Sequence, residues 1–157
     1  MAPEQVEILG QVPSDAARPV ADTRPTCRSA LPLFTGGVAA GFPSPADDYI
    51  DRPLDLHEHL VAHPAATFFV RASGTSMERA GIHDGDLLVV DRAVRPRDGH
   101  VVIAAVHGEL TVKRLRRRRG RVYLVAEGDG DRIPPLAVTE EMDLRVWGVC
   151  RYVIHGL

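Results

Sequence analysis

The feature that most restricts the fold of this chain is its punctuation. From Gly41 onward, short apolar segments are broken again and again by Gly, Asp or Pro. A packed amphipathic helix needs an uninterrupted stretch with a 3.6-residue period, and only Asp55 to His63 offers one, with Leu56, Leu60 and Val61 on one side and Pro64 to end it. Strands survive such punctuation. The candidates are Thr67 to Ala72, Leu87 to Asp91, His100 to Val106, Glu109 to Leu115, Arg121 to Glu127 and Leu144 to Ile154. Between them Gly85, Gly99, Gly108, Gly120 and the run Gly128-Asp129-Gly130 serve as turn formers. The expectation is a compact, mainly β domain over residues 41 to 157.

The first 40 residues read differently. They hold five of the twelve prolines, Pro3, Pro13, Pro19, Pro25 and Pro32, so spaced that no helix with a packed face fits between them. This predicts a flexible N-terminal arm over residues 1 to 40, and it leaves no place for the consecutive helices of a helix-turn-helix DNA reader. Leu31 to Phe34, a Thr35-Gly36-Gly37 turn, small residues up to Gly41-Phe42 and the prolines Pro43 and Pro45 suggest an extended, accessible strand.

Charge and cysteine content narrow the function classes. A formal net charge of -2 argues against wholesale electrostatic binding to DNA or to a membrane. Cys27 and Cys150 lie too far apart in a chain with no other cysteine to outline a disulfide framework or a metal site. No apolar run approaches the roughly 20 residues that span a bilayer, and the N-terminus lacks the pattern of a signal peptide. A cytoplasmic protein is expected.

The basic residues are lopsided: of 19 Lys and Arg, one is lysine, Lys113. Arginine keeps its proton in a protein, whereas a desolvated lysine can lose it. In the strand Glu109 to Leu115, period two puts Thr111, Lys113 and Leu115 on one face. A lysine sharing a face with leucine is either partly buried, with a lowered pKa and the makings of a general base, or it lifts its ammonium to water along its stem. Spacing leaves both open. Ser73-Gly74-Thr75-Ser76-Met77 follows a strand, which places a hydroxyl on a tight glycine turn whose backbone N–H groups can face an oxyanion. Ser and Gly are also ordinary turn residues.

Taken together, these segments resemble a known family. Ala40-Gly41-Phe42-Pro43-Ser44-Pro45, Ala72-Ser73-Gly74-Thr75-Ser76-Met77, Gly85-Asp86-Leu87-Leu88-Val89-Val90-Asp91 and Thr111-Val112-Lys113-Arg114-Leu115 resemble the UmuD-type accessory subunits of DNA polymerase V. Those are relatives of LexA and phage repressors among the self-cleaving serine-lysine peptidases. The resemblance covers the chain from Gly41 to its end, and it implies a LexA/UmuD-like β-clip domain. It further implies Ser76 as nucleophile, Lys113 as general base, the N–H groups of Thr75 and Ser76 as oxyanion hole, and Ala40-Gly41 as the bond that is cut. Alanine before the scissile glycine looks more like LexA than like the cysteine common in UmuD. No cofactor is implied. The implied partners are a second copy of the chain, the RecA filament on single-stranded DNA and a Y-family polymerase catalytic subunit, with little direct DNA binding.

Other features weigh less. His57-Glu58-His59 with His63 departs from His-Glu-x-x-His because Val61 stands where the second histidine belongs, so a solvated face is expected and no metal. Arg114, Arg116 to Arg119 and Arg121 form either a solvated hairpin tip or a contact for phosphate or an acidic surface. Asp84, Asp86 and Asp91 are expected to serve turns, and Trp147 and Tyr152 to lie in a core or interface. The rival to an accessory subunit is a LexA-like or phage-type transcriptional regulator controlled by the same self-cleavage, against which the proline-laced arm speaks.

Overall fold

The computed structural model describes residues 30–34, 50–128 and 133–157. The expected cut site, Ala40 and Gly41, and the arm up to residue 29 lie outside the described residues. Two compact units separate, one containing Pro19–Ala62 and the other His63–Leu157.

In the first unit, β1 (Leu31–Phe34) pairs antiparallel with β2 (Ile50–Leu54), with Pro32 opposite Pro53. Neither proline has an N–H to donate, which suits a ribbon with two strands among the described residues. Helix α1 (Leu56–Leu60) follows, capped by Asp55, whose carboxylate accepts the backbone N–H groups of His57 and Glu58. It is shorter than the span from Asp55 to His63 expected from the sequence. Val61 already leaves helical geometry at φ -114°, ψ 84°, and His63 at φ -127°, ψ 82° stays out of the helical region that Pro64 disfavours for its predecessor.

The second unit is built on a seven-stranded antiparallel sheet in the order β3-β4-β9-β5-β6-β7-β8. Its strands are β3 (Thr67–Arg71), β4 (Leu87–Asp91), β5 (Val101–Val106), β6 (Glu109–Arg118), β7 (Arg121–Val125), β8 (Leu136–Ala137) and β9 (Arg145–Ile154). The mainly β expectation holds. Val102, Ile103, Ala104 and Ala105 of β5 are all buried, which only a central strand covered on both faces allows. One face carries Ala72, Met77, Ile82, Leu88, Val90 and Ile103, with Val112 and Trp147 packed on them, and the other carries Val102, Ala104, Leu115, Leu124 and Val149.

β9 departs from strict alternation. Gly148 stands opposite Ile103 and Val146 opposite Ala104, so Trp147 is an extra residue, and Arg151 is likewise skipped between Cys150 and Tyr152. The bulge at Trp147 lets that ring join the first face, edge-on to Phe68 at 6.5 Å, while Val146 and Val149 serve the second. Gly148 is required by close approach, since a Cβ there would stand 2.7 Å from Val90 Cγ1.

The arginine run is the end of a long strand. β6 continues past Leu115 to Arg118, and Arg119 (φ 50°) with Gly120 (φ 76°) forms the two-residue turn into β7. The hairpin-tip reading therefore fits Arg117 to Arg121, whose side chains are exposed or, at Val122 onward, give way to the core. Arg114 stands apart. Its guanidinium forks onto Glu127 at 2.7 and 2.8 Å and donates to the Gly99 carbonyl.

Candidate functional site

β3 ends at Arg71, and the chain turns over Ser73 to Ser76 before Met77, 1% exposed, plugs into the first face of the core. Burial of Met77 anchors the residue next to Ser76, and a single 3-10 turn at Glu78–Ala80 closes with Gly81 in the left-handed region, φ 78°. The near side of the turn is braced from the loop entering β4. Gly74, at φ 87°, donates its N–H to Asp84 Oδ1 at 2.7 Å, Gly85 N–H donates to the Ala72 carbonyl, and Ala72 N–H donates to the Asp86 carbonyl. The far side is braced by the segment after β7. Glu127 N–H donates to the Ser76 carbonyl at 2.8 Å, and Arg79 N–H donates to the Glu127 carbonyl at 2.7 Å.

Gly128 makes that second brace possible. A Cβ on Gly128 would lie 2.7 Å from the Thr75 carbonyl oxygen and 3.1 Å from Ser76 Cα, both backbone atoms. The Arg114–Glu127 pair fastens the same segment to β6, and it holds Glu127 ionised: the hydrogen bond from Arg114 lowers the Glu127 pKa and raises that of Arg114.

On β6, Lys113 stands opposite Val102, which is fully buried in the same cluster as Leu115. Period two had placed it there. Its half-buried side chain brings Nζ within 3.0 Å of Ser76 Oγ and 3.0 Å of the Val112 carbonyl, donating to both. Burial lowers the Lys113 pKa from its ordinary value, because desolvation penalises the ammonium form. A cleft of about 880 Å³ opens beside Ser73 to Ser76 and is lined also by Arg79, Ala126, Gly128, Ile133, Pro134 and Pro135.

The sequence of this chain matches the peptidase S24-like family over residues 32–151. The chain belongs to that family. Its relatives include Protein ImpA of Salmonella typhimurium, 48% identical over 79% of this chain and 83% of the relative. Protein MucA of Escherichia coli is 52% identical over 81% and 84%, and the LexA repressor of Bordetella parapertussis 34% over 88% and 63%. The UmuD-type resemblance seen in the motifs is thus a family membership, and an S24 peptidase is a serine peptidase of the self-cleaving kind.

Of the residues singled out from this S24 sequence, the fold brings together Ser76, Lys113 and Thr75, while Ala40 and Gly41 lie outside the described residues. What the sequence did not reveal is the bracing: Glu127 looked like the end of a strand, which stops at Val125, Gly128 like a turn, Arg114 like part of a basic patch, and Asp84 like a turn former. All three aspartates serve turns as expected: Asp84 accepts the Gly74 N–H, Asp86 the His83 N–H and Asp91 the Ala93 N–H. Asp86 and Asp91 are 4% and 2% exposed and each meets a histidine, Asp86 with His155 and Asp91 with His63, both at 2.6 Å. Burial pushes the Cys150 thiol up to about 12, which disfavours the thiolate form. Among the described residues no helix is long and apolar enough to cross a membrane.

Proposed function

We propose that this S24 protein is the self-cleaving accessory subunit of an error-prone translesion DNA polymerase, working in the SOS response to DNA damage. The observation that carries the chemical part is the 3.0 Å contact between Lys113 Nζ and Ser76 Oγ, with the lysine desolvated. Once Lys113 has lost its extra proton, the same contact runs in reverse and the amine accepts the Ser76 O–H. Oγ then attacks the Ala40 carbonyl carbon, and its electron pair moves onto the carbonyl oxygen.

None of the backbone hydrogen bonds among the described residues uses the N–H of Thr75 or of Ser76, so these two amides are the donors assigned to that oxyanion. Collapse of the intermediate breaks the Ala40–Gly41 bond. The Lys113 ammonium returns its proton to the leaving Gly41 amine, leaving an ester on Ser76. Water, deprotonated by the same lysine, then attacks the ester and frees Ser76. The products are residues 1 to 40 and residues 41 to 157.

The biological part rests on the family. The identities to ImpA and MucA, 48% and 52%, exceed the 34% to the LexA repressor, which favours the polymerase accessory role over that of a transcriptional regulator. In this reading the RecA filament on single-stranded DNA accelerates cleavage by favouring the docked arm, and the shortened chain joins a Y-family polymerase as a homodimer.

The test is cleavage of the full chain as pH is raised, without RecA. Because burial lowers the Lys113 pKa, the neutral fraction and the rate rise with pH through that lowered pKa and then level off. Fragments ending at Ala40 and beginning at Gly41 are expected by mass spectrometry. Ser76→Ala and Lys113→Arg abolish them, since arginine keeps the charge and cannot act as base. Cleavage by Ser76→Ala, or a wild-type chain that stays intact at alkaline pH, overturns the assignment. Addition of RecA, ATP and single-stranded DNA at neutral pH is expected to give the same fragments faster.

A further inference from the structure

One group of side chains has no part in the serine chemistry. His83 and Asp86 lie in the loop entering β4, and His155 follows β9. Register brings them together, because Leu87 pairs with Ile154 and the residues just beyond that pair face each other. The Asp86 carboxylate, 4% exposed, places Oδ1 2.6 Å from His155 Nδ1, while Oδ2 accepts the His83 backbone N–H at 2.7 Å and lies 3.6 Å from His83 Nδ1. The two imidazole rings stand 4.9 Å apart. One ligand atom from each of the three residues lies within 4.8 Å of the other two.

We propose that His83, Asp86 and His155 form a binding site for a divalent transition-metal ion, Zn²⁺ in the first instance. The donor set decides the class of ion: two imidazole nitrogens and one carboxylate suit a borderline metal, whereas Ca²⁺ and Mg²⁺ seek oxygen ligands. Three protein donors plus solvent is an ordinary Zn²⁺ arrangement. With metal–ligand bonds of about 2.0–2.1 Å, tetrahedral ligand atoms stand about 3.3 Å apart, and the 3.6 Å between His83 Nδ1 and Asp86 Oδ2 is close to that spacing. The shorter Asp86–His155 contact is a hydrogen bond that opens as the ion takes the place of the Nδ1 proton, which is lost to solvent while Nε2 carries the ring's one remaining N–H, so that His155 ligates as neutral imidazole.

The buried carboxylate is fixed in place by the His83 amide, and both imidazoles are about half exposed, 49% and 47%, so the ion has an approach from solvent and room for water. Sequence spacing hides this site, since His83 and His155 lie 72 positions apart. Bound metal would staple the end of β9 to the loop whose Asp84 and Gly85 brace the serine turn. The inference stands on these three residues and does not need the peptidase reading.

The experiment titrates the full wild-type chain with Zn²⁺ against a chromophoric chelator and follows its thermal midpoint. One ion per chain and a raised midpoint are expected. His83→Gln and His155→Gln are each expected to weaken binding by about tenfold or more, at least the loss seen when a ligand's outer partner is removed. His57→Gln with His59→Gln, on α1, is expected to leave it unchanged. Absence of binding, or binding that survives His83→Gln with His155→Gln, overturns the proposal. Should those variants unfold, ring-nitrogen resonances of the wild-type chain decide: Zn²⁺ moves those of His83 and His155, and a response confined to other histidines refutes the site.

Discussion

Gly128→Ala isolates the part of the site that depends on backbone fit. The new methyl carbon would stand 2.7 Å from the Thr75 carbonyl oxygen, 3.1 Å from Ser76 Cα and 3.3 Å from the Ser76 carbonyl carbon, where ordinary contact begins at 3.4 Å. No flexible side chain can swing aside, because all three atoms are backbone. Gly128 is not in the left-handed region, so alanine brings no conformational penalty of its own. The turn and the Glu127 segment must therefore part by about 0.7 Å, which stretches the 2.8 Å Glu127-to-Ser76 hydrogen bond and moves Oγ relative to Lys113 Nζ.

A misplacement near 1 Å in a reacting group can cost on the order of 100-fold, so alkaline self-cleavage of Gly128→Ala is expected to slow by about 10- to 100-fold. The plateau pH should stay unchanged, because Lys113 keeps its burial. Gel densitometry and mass spectrometry of the full chain over time give the rate. Gly120→Ala is the control: at φ 76° with open space around it, it strains a distant turn and is expected to lower stability without slowing cleavage. Wild-type cleavage rates in Gly128→Ala would refute the idea that Gly128 positions the serine.

Three further expectations follow from the packing. Arg114→Lys keeps a charge but loses the fork onto Glu127, and denaturant unfolding is expected to show a loss of about 1 kcal/mol with slower cleavage through the loosened brace. For Asp91, burial pushes the carboxyl pKa up, but hydrogen bonds from His63 and the Ala93 N–H outweigh it and the net direction is down. The unfolded chain therefore holds more protons, and this stability is present above the ordinary value of 3.8 and lost as pH falls through the lowered folded pKa. His63→Ala should cost about 1 kcal/mol at neutral pH and flatten the acid limb of a thermal-midpoint series. With its thiol pushed up to about 12, Cys150 is expected to resist iodoacetamide at pH 8 in the folded chain and to react after unfolding. Peptide mapping reads that difference.

How far the fold was legible varies with the kind of information each element needs. Leu87 to Asp91 was read to the residue, since an apolar run between Gly85-Asp86 and Pro96 can only be a short strand in this context. β2, with Pro53 inside it, and β8, two residues long, carry too little pattern to be seen. The length of β6 was underestimated because Arg116 to Arg118 look like solvated coil, yet the turn at Arg119-Gly120 lets them complete a ladder with β7. The bulges in β9 are invisible to a period of two.

For the site, local order in the chain put forward the candidate groups. A serine on a glycine turn after a strand, and a single lysine sharing a strand face with leucine, follow from residue type and alternation, while their roles as nucleophile and base are what the family resemblance implies. What tertiary structure decided is distance and support. Residues 37 positions apart meet at 3.0 Å because Met77 is driven into the core while Lys113 is fixed opposite Val102. Glu127 and Gly128 brace the turn through backbone hydrogen bonds and a close approach, neither of which leaves a mark in side-chain pattern, and the Asp84 carboxylate reaches Gly74 from ten residues away. His83, Asp86 and His155 meet only through the pairing of β4 with β9. Hydrophobic alternation acts between near neighbours and so can be read along the chain, whereas these contacts depend on the register of strands that the chain visits far apart.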